Sequence, residues 1–86
     1  MIKAWLDTAW ADYLYWQQQD KKTLKRINML IKDIESTPYA GIGKPEALKH
    51  DLAGWWSRRI DGTNRLIYRI NDERLEIAVC RNHYQE

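Results

Sequence analysis

The sequence predicts an α+β fold in which an N-terminal strand and two helices pack on one face of an antiparallel sheet. Three observations carry this expectation. Two stretches of helical period follow a short apolar start, a Gly- and Pro-marked middle segment has no period, and the C-terminal third alternates as strands do. At 86 residues the chain is a single domain, 1–86. A domain this small buries roughly 60–65% of its unfolded surface, so the core is expected to be thin, a single sheet covered on one side.

Met1 to Leu6 is short and apolar enough for a strand. Asp7 then offers an N-cap, and Trp10, Tyr13 and Leu14 follow at helical spacing, which predicts a first helix from about Thr8 to Gln18. Asp20 is the second N-cap candidate. Behind it Leu24, Ile27, Ile31 and Ile34 fall on one stripe, while Lys21, Lys22, Lys25, Arg26 and Lys32 lie elsewhere on the helix. This helix ends by Thr37, because Pro38 disfavours a helical residue before it. Pro38 to Gly54 is predicted as a long functional loop, with a short helical turn near Glu46 to Leu48. Beyond it, Trp56, Arg58 and Ile60 share one face of a strand, and Trp55, Ser57 and Arg59 share the other. Asp61-Gly62 and Asn71-Asp72 mark turns. Between them Leu66, Tyr68 and Ile70 line one face, with Arg65, Ile67 and Arg69 on the other. Leu75, Ile77 and Val79 form the apolar face of the last strand, and Arg81-Asn82-His83-Tyr84 follows at its end.

Five Trp, five Tyr and no Phe mean that every aromatic ring carries a polar handle suited to a half-wet position. The net charge of +2 is too mild to grip nucleic acid by charge alone. It is unevenly spread: between Lys44 and Arg69, six basic residues face only Glu46, Asp51 and Asp61. Such a run is either a solvated face or a local anion site. The lone Cys80 excludes an intramolecular disulfide and fits a packed side chain in a reducing compartment. No apolar run approaches the roughly 20 residues of a membrane span, and the N-terminus shows no apolar signal-peptide core, so a cytoplasmic protein is expected.

Metal and nucleophile chemistry are disfavoured. His50 and His83 lie in different segments without zinc-ligand spacing, Gly41-Ile42-Gly43-Lys44 lacks the phosphate-loop pattern, and neither Ser57 nor Cys80 has a basic partner nearby. No cofactor is implied. Acid–base chemistry at an anion fits better. RNA carries its own nucleophile in the 2′-hydroxyl, so cleavage needs a base, an acid and positive charge on the phosphate. Glu46, in a basic loop between Lys44 and Lys49, is a base candidate or an ordinary exposed carboxylate. His83 is an acid candidate or a solvated side chain. Arg65 offers a planar fork to phosphate, or pairs with Asp61 or Asp72 on the sheet surface.

Together these residues resemble a known family. The stretch Lys44-Pro45-Glu46-Ala47-Leu48-Lys49-His50-Asp51-Leu52, then Gly54-Trp55-Trp56-Ser57-Arg58-Arg59-Ile60, Asn64-Arg65-Leu66-Ile67-Tyr68 and Cys80-Arg81-Asn82-His83-Tyr84, is similar to the YoeB/Txe family of bacterial toxins. Trp10 to Trp16 and Ile27 to Asp33 match as well, so the resemblance runs nearly the whole chain. It implies a RelE-like, microbial-ribonuclease-like fold and a metal-independent endoribonuclease that cuts messenger RNA in the ribosomal A site. It implies a YefM-like antitoxin as inhibitor and a homodimer. By the same resemblance Glu46 is the general base, His83 the general acid and Arg65 the phosphate stabiliser. Lys49 and Tyr84 orient the RNA, and Lys44 and Arg59 contact RNA or ribosome. The chain departs from the family by continuing past Tyr84 into Gln85-Glu86. A ParE-like toxin that binds gyrase without cutting RNA is the alternative on the same scaffold. The joint presence of Glu46, Arg65 and His83-Tyr84 favours the nuclease.

Overall fold

A computed structural model describes residues 1–82. Strand β1 (Ile2–Trp5) leads into helices α1 (Asp7–Gln19) and α2 (Lys21–Ser36). Then come β2 (Glu46–Ala47), a 3₁₀ turn (His50–Leu52), β3 (Trp56–Arg59), β4 (Arg65–Asn71) and β5 (Arg74–Val79). The sheet order is β1-β5-β4-β3-β2. Strands β2 to β5 meander antiparallel, while β1 lies parallel to β5. A hairpin forces antiparallel pairing, but β1 is joined to the rest through two helices, so nothing fixes its direction that way. The α+β class holds, with a mixed sheet in place of a wholly antiparallel one.

Both helices cover one face. Ala9 and Trp16 from α1 and Ile27, Leu30, Ile31 and Ile34 from α2 meet Leu66, Tyr68, Leu75, Ile77 and Cys80. The α2 stripe lies where its spacing predicts, and Asp20 caps it by accepting from the Lys22 and Thr23 amides. The α1 cap differs: Leu6 takes that position, its carbonyl accepting from Trp10, and Asp7 is the first helical residue. Trp10 and Leu14 stay largely exposed, because α1 turns Ala9 and Trp16 toward the sheet. Among the described residues, no helix is long and apolar enough to cross a membrane.

Two details of the strands differ from the sequence expectation. Glu46 and Ala47 do not form a helical turn; they pair with Ser57 and Trp56 as an edge strand, and the helical turn falls later, where Leu52 and Ala53 donate back to Lys49 and His50. In β5, Ile77 pairs with Tyr68 but Val79 pairs with Ile67, so Ala78 is an extra residue. The bulge reverses the parity of the strand. Val79 goes to the face opposite Ile77, and Cys80 takes the core position. Burial, then the Asp12 charge, pushes the Cys80 thiol up to about 12, which makes it a packing group.

The β4–β5 hairpin turns on Asp72 and Glu73, with φ of 52° and 60°. A two-residue turn with both centres at positive φ suits Asn-Gly or Asp-Gly, and a Glu β-carbon there costs roughly 1–2 kcal/mol. Glu73→Gly is expected to raise the melting temperature by about 4–8 °C, equivalent to about 1 kcal/mol. Circular-dichroism melting checks this; an unchanged or lower midpoint would show that Glu73 bears no strain.

Candidate active site on the open face of the sheet

Because Trp56 and Arg58 point toward the helices, Ser57 and Arg59 point away from them, and the register carries this alternation across the sheet. One row on the open face runs Glu46, Ser57, Ile67, Val79. Two residues along β3, about 7 Å away by strand rise, Arg59 pairs with Arg65. Two residues the other way, the Arg69 guanidinium lies 4.4 Å from the centre of the Trp55 ring. Arg69 also pairs with Glu76. The row that carries Glu46 therefore lies between the facing arginines and the Trp55–Arg69–Glu76 row. Like charges directly opposite destabilise a sheet, so the Arg59–Arg65 pair is a cost that a bound anion would relieve.

Glu46 is exposed on the edge strand β2 and reaches that face only because the segment before it is fastened to the sheet. The fastener is Arg58, which is 0% exposed. Its Nη1 donates to Asp33 Oδ2 at 2.5 Å and to the Ile42 carbonyl at 3.1 Å. Its Nη2 donates to the carbonyls of Thr37 at 2.6 Å and Ala40 at 2.8 Å, and its Nε to the Tyr68 hydroxyl at 3.2 Å. The Tyr68 hydroxyl in turn donates to the Pro38 carbonyl at 2.6 Å. Asp33 also accepts from the Ile42 amide, and the hydrogen bonds from Arg58 and Ile42 hold its carboxyl below the usual range. Gly43, at φ 79°, lets its carbonyl reach the Arg59 amide at 2.7 Å; a β-carbon there would press on Leu30 and the Arg59 carbonyl. Lys44 follows at φ 51°, and beyond β2 the Leu48 amide donates to the Trp55 carbonyl, leading into the exposed Lys49.

Arg65 anchors the other side. Its amide donates to the Asn82 carbonyl at 3.1 Å, and its Nη1 donates to the carbonyls of Asp61 at 3.0 Å and Asn64 at 3.3 Å. Its expected surface partners do not take it. The Asp61 carboxylate instead accepts from the Thr63 amide and from both nitrogens of Asn64. Burial raises the Asp61 carboxyl, but these bonds and the Arg65 charge outweigh it, and the net shift is downward. The buried Asn64 then receives the Asn82 amide at 2.6 Å. From the helix side, Asp12 accepts the Cys80 amide, Trp16 donates to the Cys80 carbonyl at 2.8 Å, and Arg81 lies 3.5 Å over the Tyr15 ring. The chain is thus held on both sides up to Asn82. His83 and Tyr84 lie outside the described residues.

Of the site residues read from sequence, Glu46, Arg59 and Arg65 share the open face, with Lys44 and Lys49 flanking Glu46 along the chain. The sequence pattern left out Arg58, whose role needs the 37–42 carbonyls brought over it, and the Trp55–Arg69–Glu76 stack. Arg69 does alternate with Ile67 and Arg65, which was the available signal. Among the described residues, no group of three His, Cys, Asp or Glu side chains could hold a metal ion. A carboxylate on the same face as two arginines, one row away, can take a proton from a hydroxyl while the arginines hold an anion.

The sequence pattern of the family described as YoeB-like toxin of bacterial type II toxin-antitoxin system matches residues 5–84. The chain is 56% identical over 80 residues to Toxin YoeB of Escherichia coli K12, covering 93% of this chain and 95% of that one. Its fold superposes on a YoeB/ParE toxin from Agrobacterium tumefaciens with a TM-score of 0.96 at 46% identity, covering 98% and 100% of the two chains. YoeB of Staphylococcus aureus, solved as a heterotetrameric complex with YefM and also as a dimer, superposes at 0.91 and 45% identity over 98% of each chain.

Proposed function

Because this chain belongs to the family of YoeB-like toxins of bacterial type II toxin–antitoxin systems, we propose that it is a ribosome-dependent endoribonuclease that cuts messenger RNA in the A site and stops translation in the cytoplasm. Glu46 takes the proton of a 2′-hydroxyl, whose oxygen attacks the adjacent phosphorus. The bond to the 5′-oxygen breaks, and His83 protonates that leaving oxygen. Arg65 and Arg59 neutralise the charge that builds on the phosphoryl oxygens. Lys49 and Tyr84 orient the RNA, and Lys44 contacts RNA or ribosome. Neither metal nor cofactor takes part. The observation that carries this reading is the Glu46 row lying beside the facing Arg59–Arg65 pair on one open face. The modest charge of +2 suits a substrate presented by the ribosome better than free RNA.

The relative from Staphylococcus aureus is solved with YefM and as a dimer. We extend both to this chain as a YefM-like antitoxin partner and a homodimer, and the exposed Leu6, Trp10 and Leu14 give a protein partner apolar surface to cover. Primer extension on messages from a cell-free translation reaction tests the activity. New 5′ ends are expected within the A-site codon, and only when ribosomes are present. An intact message together with arrested gyrase supercoiling would replace this reading with the ParE-like one.

A further inference from the structure

On the open face, the Trp55–Arg69–Glu76 stack is used by none of the steps above. We infer that it is a stacking subsite for one nucleobase of single-stranded RNA next to the cut, an inference that rests on the proposed nuclease activity. The register places it two strand residues from the Glu46 row, on the side away from Arg59 and Arg65. Phosphate charge is therefore met on one side of Glu46 and a flat surface on the other, as a strand of nucleotides laid across the face requires.

The chemistry of the three residues favours a base over a phosphate. The Arg69 guanidinium lies over the Trp55 ring at 4.4 Å, so its plane is backed by an indole. Its Nε donates to Glu76 Oε1, which fixes that plane and offsets its charge. The Arg69 side chain is still 40% exposed, against 13% for Glu76, so the guanidinium stays accessible while its counter-ion, at its edge, is largely covered. A carboxylate so close repels a phosphate, whereas an unstacked base is received by a guanidinium plane without needing its charge. Trp55 and Glu76 are positioning residues, and Arg69 makes the contact.

Cleavage kinetics on messenger-programmed ribosomes test this with Arg69→Met, Arg69→Lys and Trp55→Ala. Base stacking loss corresponds to about 5- to 150-fold, so each variant is expected to lower kcat/KM by about that factor, mainly through KM. Lysine keeps the charge and loses the plane, so it is expected to fail like methionine. A lysine variant that behaves as wild type would show a phosphate contact and overturn the inference. Arg69→Met with an unchanged KM would also overturn it, as would unchanged KM with weakened binding of the antitoxin, which would assign the surface to a protein partner. Thermal melting of each variant separates these outcomes from a folding defect: a lost KM effect once unfolded protein is subtracted overturns the inference. No cleavage by wild type would overturn the nuclease reading and the subsite together.

Discussion

Arg58→Met is expected to cost several kcal/mol of stability, because the acceptors grouped around one fully buried guanidinium lose their donor at about 1–3 kcal/mol each. In a domain whose whole margin is about 5–15 kcal/mol, that is enough to bring the variant close to unfolding at growth temperature. Methionine fills much of the arginine's volume, so a cavity is not the cause. What is lost is a donor set. Asp33, the Tyr68 hydroxyl and the carbonyls of Thr37, Ala40 and Ile42 all accept hydrogen bonds from one guanidinium. Arg58→Lys is expected to recover little, because three donors on one nitrogen cannot reach acceptors arranged around a planar fork. Urea denaturation measures both. An Arg58→Met midpoint within about 1 kcal/mol of wild type would show that water replaces the guanidinium.

The same pair has a pH signature. Asp33 is held below its ordinary 3.8 first by the Arg58 hydrogen bond. Its contribution to stability is therefore complete above 3.8 and is lost as pH falls through the lower folded value. Without Arg58 that downward shift is largely gone. The stability gap between wild type and Arg58→Met should narrow as pH falls from about 5 to about 3, and a gap that widens would contradict the assignment.

What could be read from the sequence was whatever repeats within one element. The Leu24–Ile34 stripe, the Asp20 cap and the alternation along β3 and β4 each depend on neighbours a few residues away, and each holds. What could not be read depends on register or on distant chain. Two residues, Glu46 and Ala47, are too few to show a period, so β2 read as loop. Leu75, Ile77 and Val79 alternate cleanly, yet the core takes Cys80 instead of Val79 because Asp12 and Trp16 fix the Cys80 backbone. Arg58 alternated correctly with Trp56 and Ile60, but only the turn after α2 shows why a charge is tolerated there. Trp55 and Arg69 lie fourteen residues apart (69 minus 55) and meet only once β3 and β4 are aligned. The roles proposed for Glu46 and His83 rest on resemblance, since each alone suits an ordinary surface residue.

Glu46→Gln is expected to lower the maximal cleavage rate on programmed ribosomes by roughly 10²- to 10⁴-fold, the contribution of a positioned general base. Glutamine keeps the length and shape of glutamate. The residue is exposed and holds its place through backbone pairing with Ser57, so the fold should change by less than about 0.5 kcal/mol. Only the capacity to accept a proton from the 2′-hydroxyl is removed. Because the proposed phosphate contacts, Arg59 and Arg65, are untouched, binding of the programmed ribosome should persist, and the loss should fall on kcat with KM little changed. That split separates two roles that exposure alone cannot. A carboxylate one row from Arg59 and Arg65 could serve instead to orient them, and losing such a role would disturb phosphate binding and raise KM. Single-turnover cleavage with increasing toxin resolves the two. A rate within about threefold of wild type at saturation would take proton transfer away from Glu46 and move the search for the base to another group on the same face.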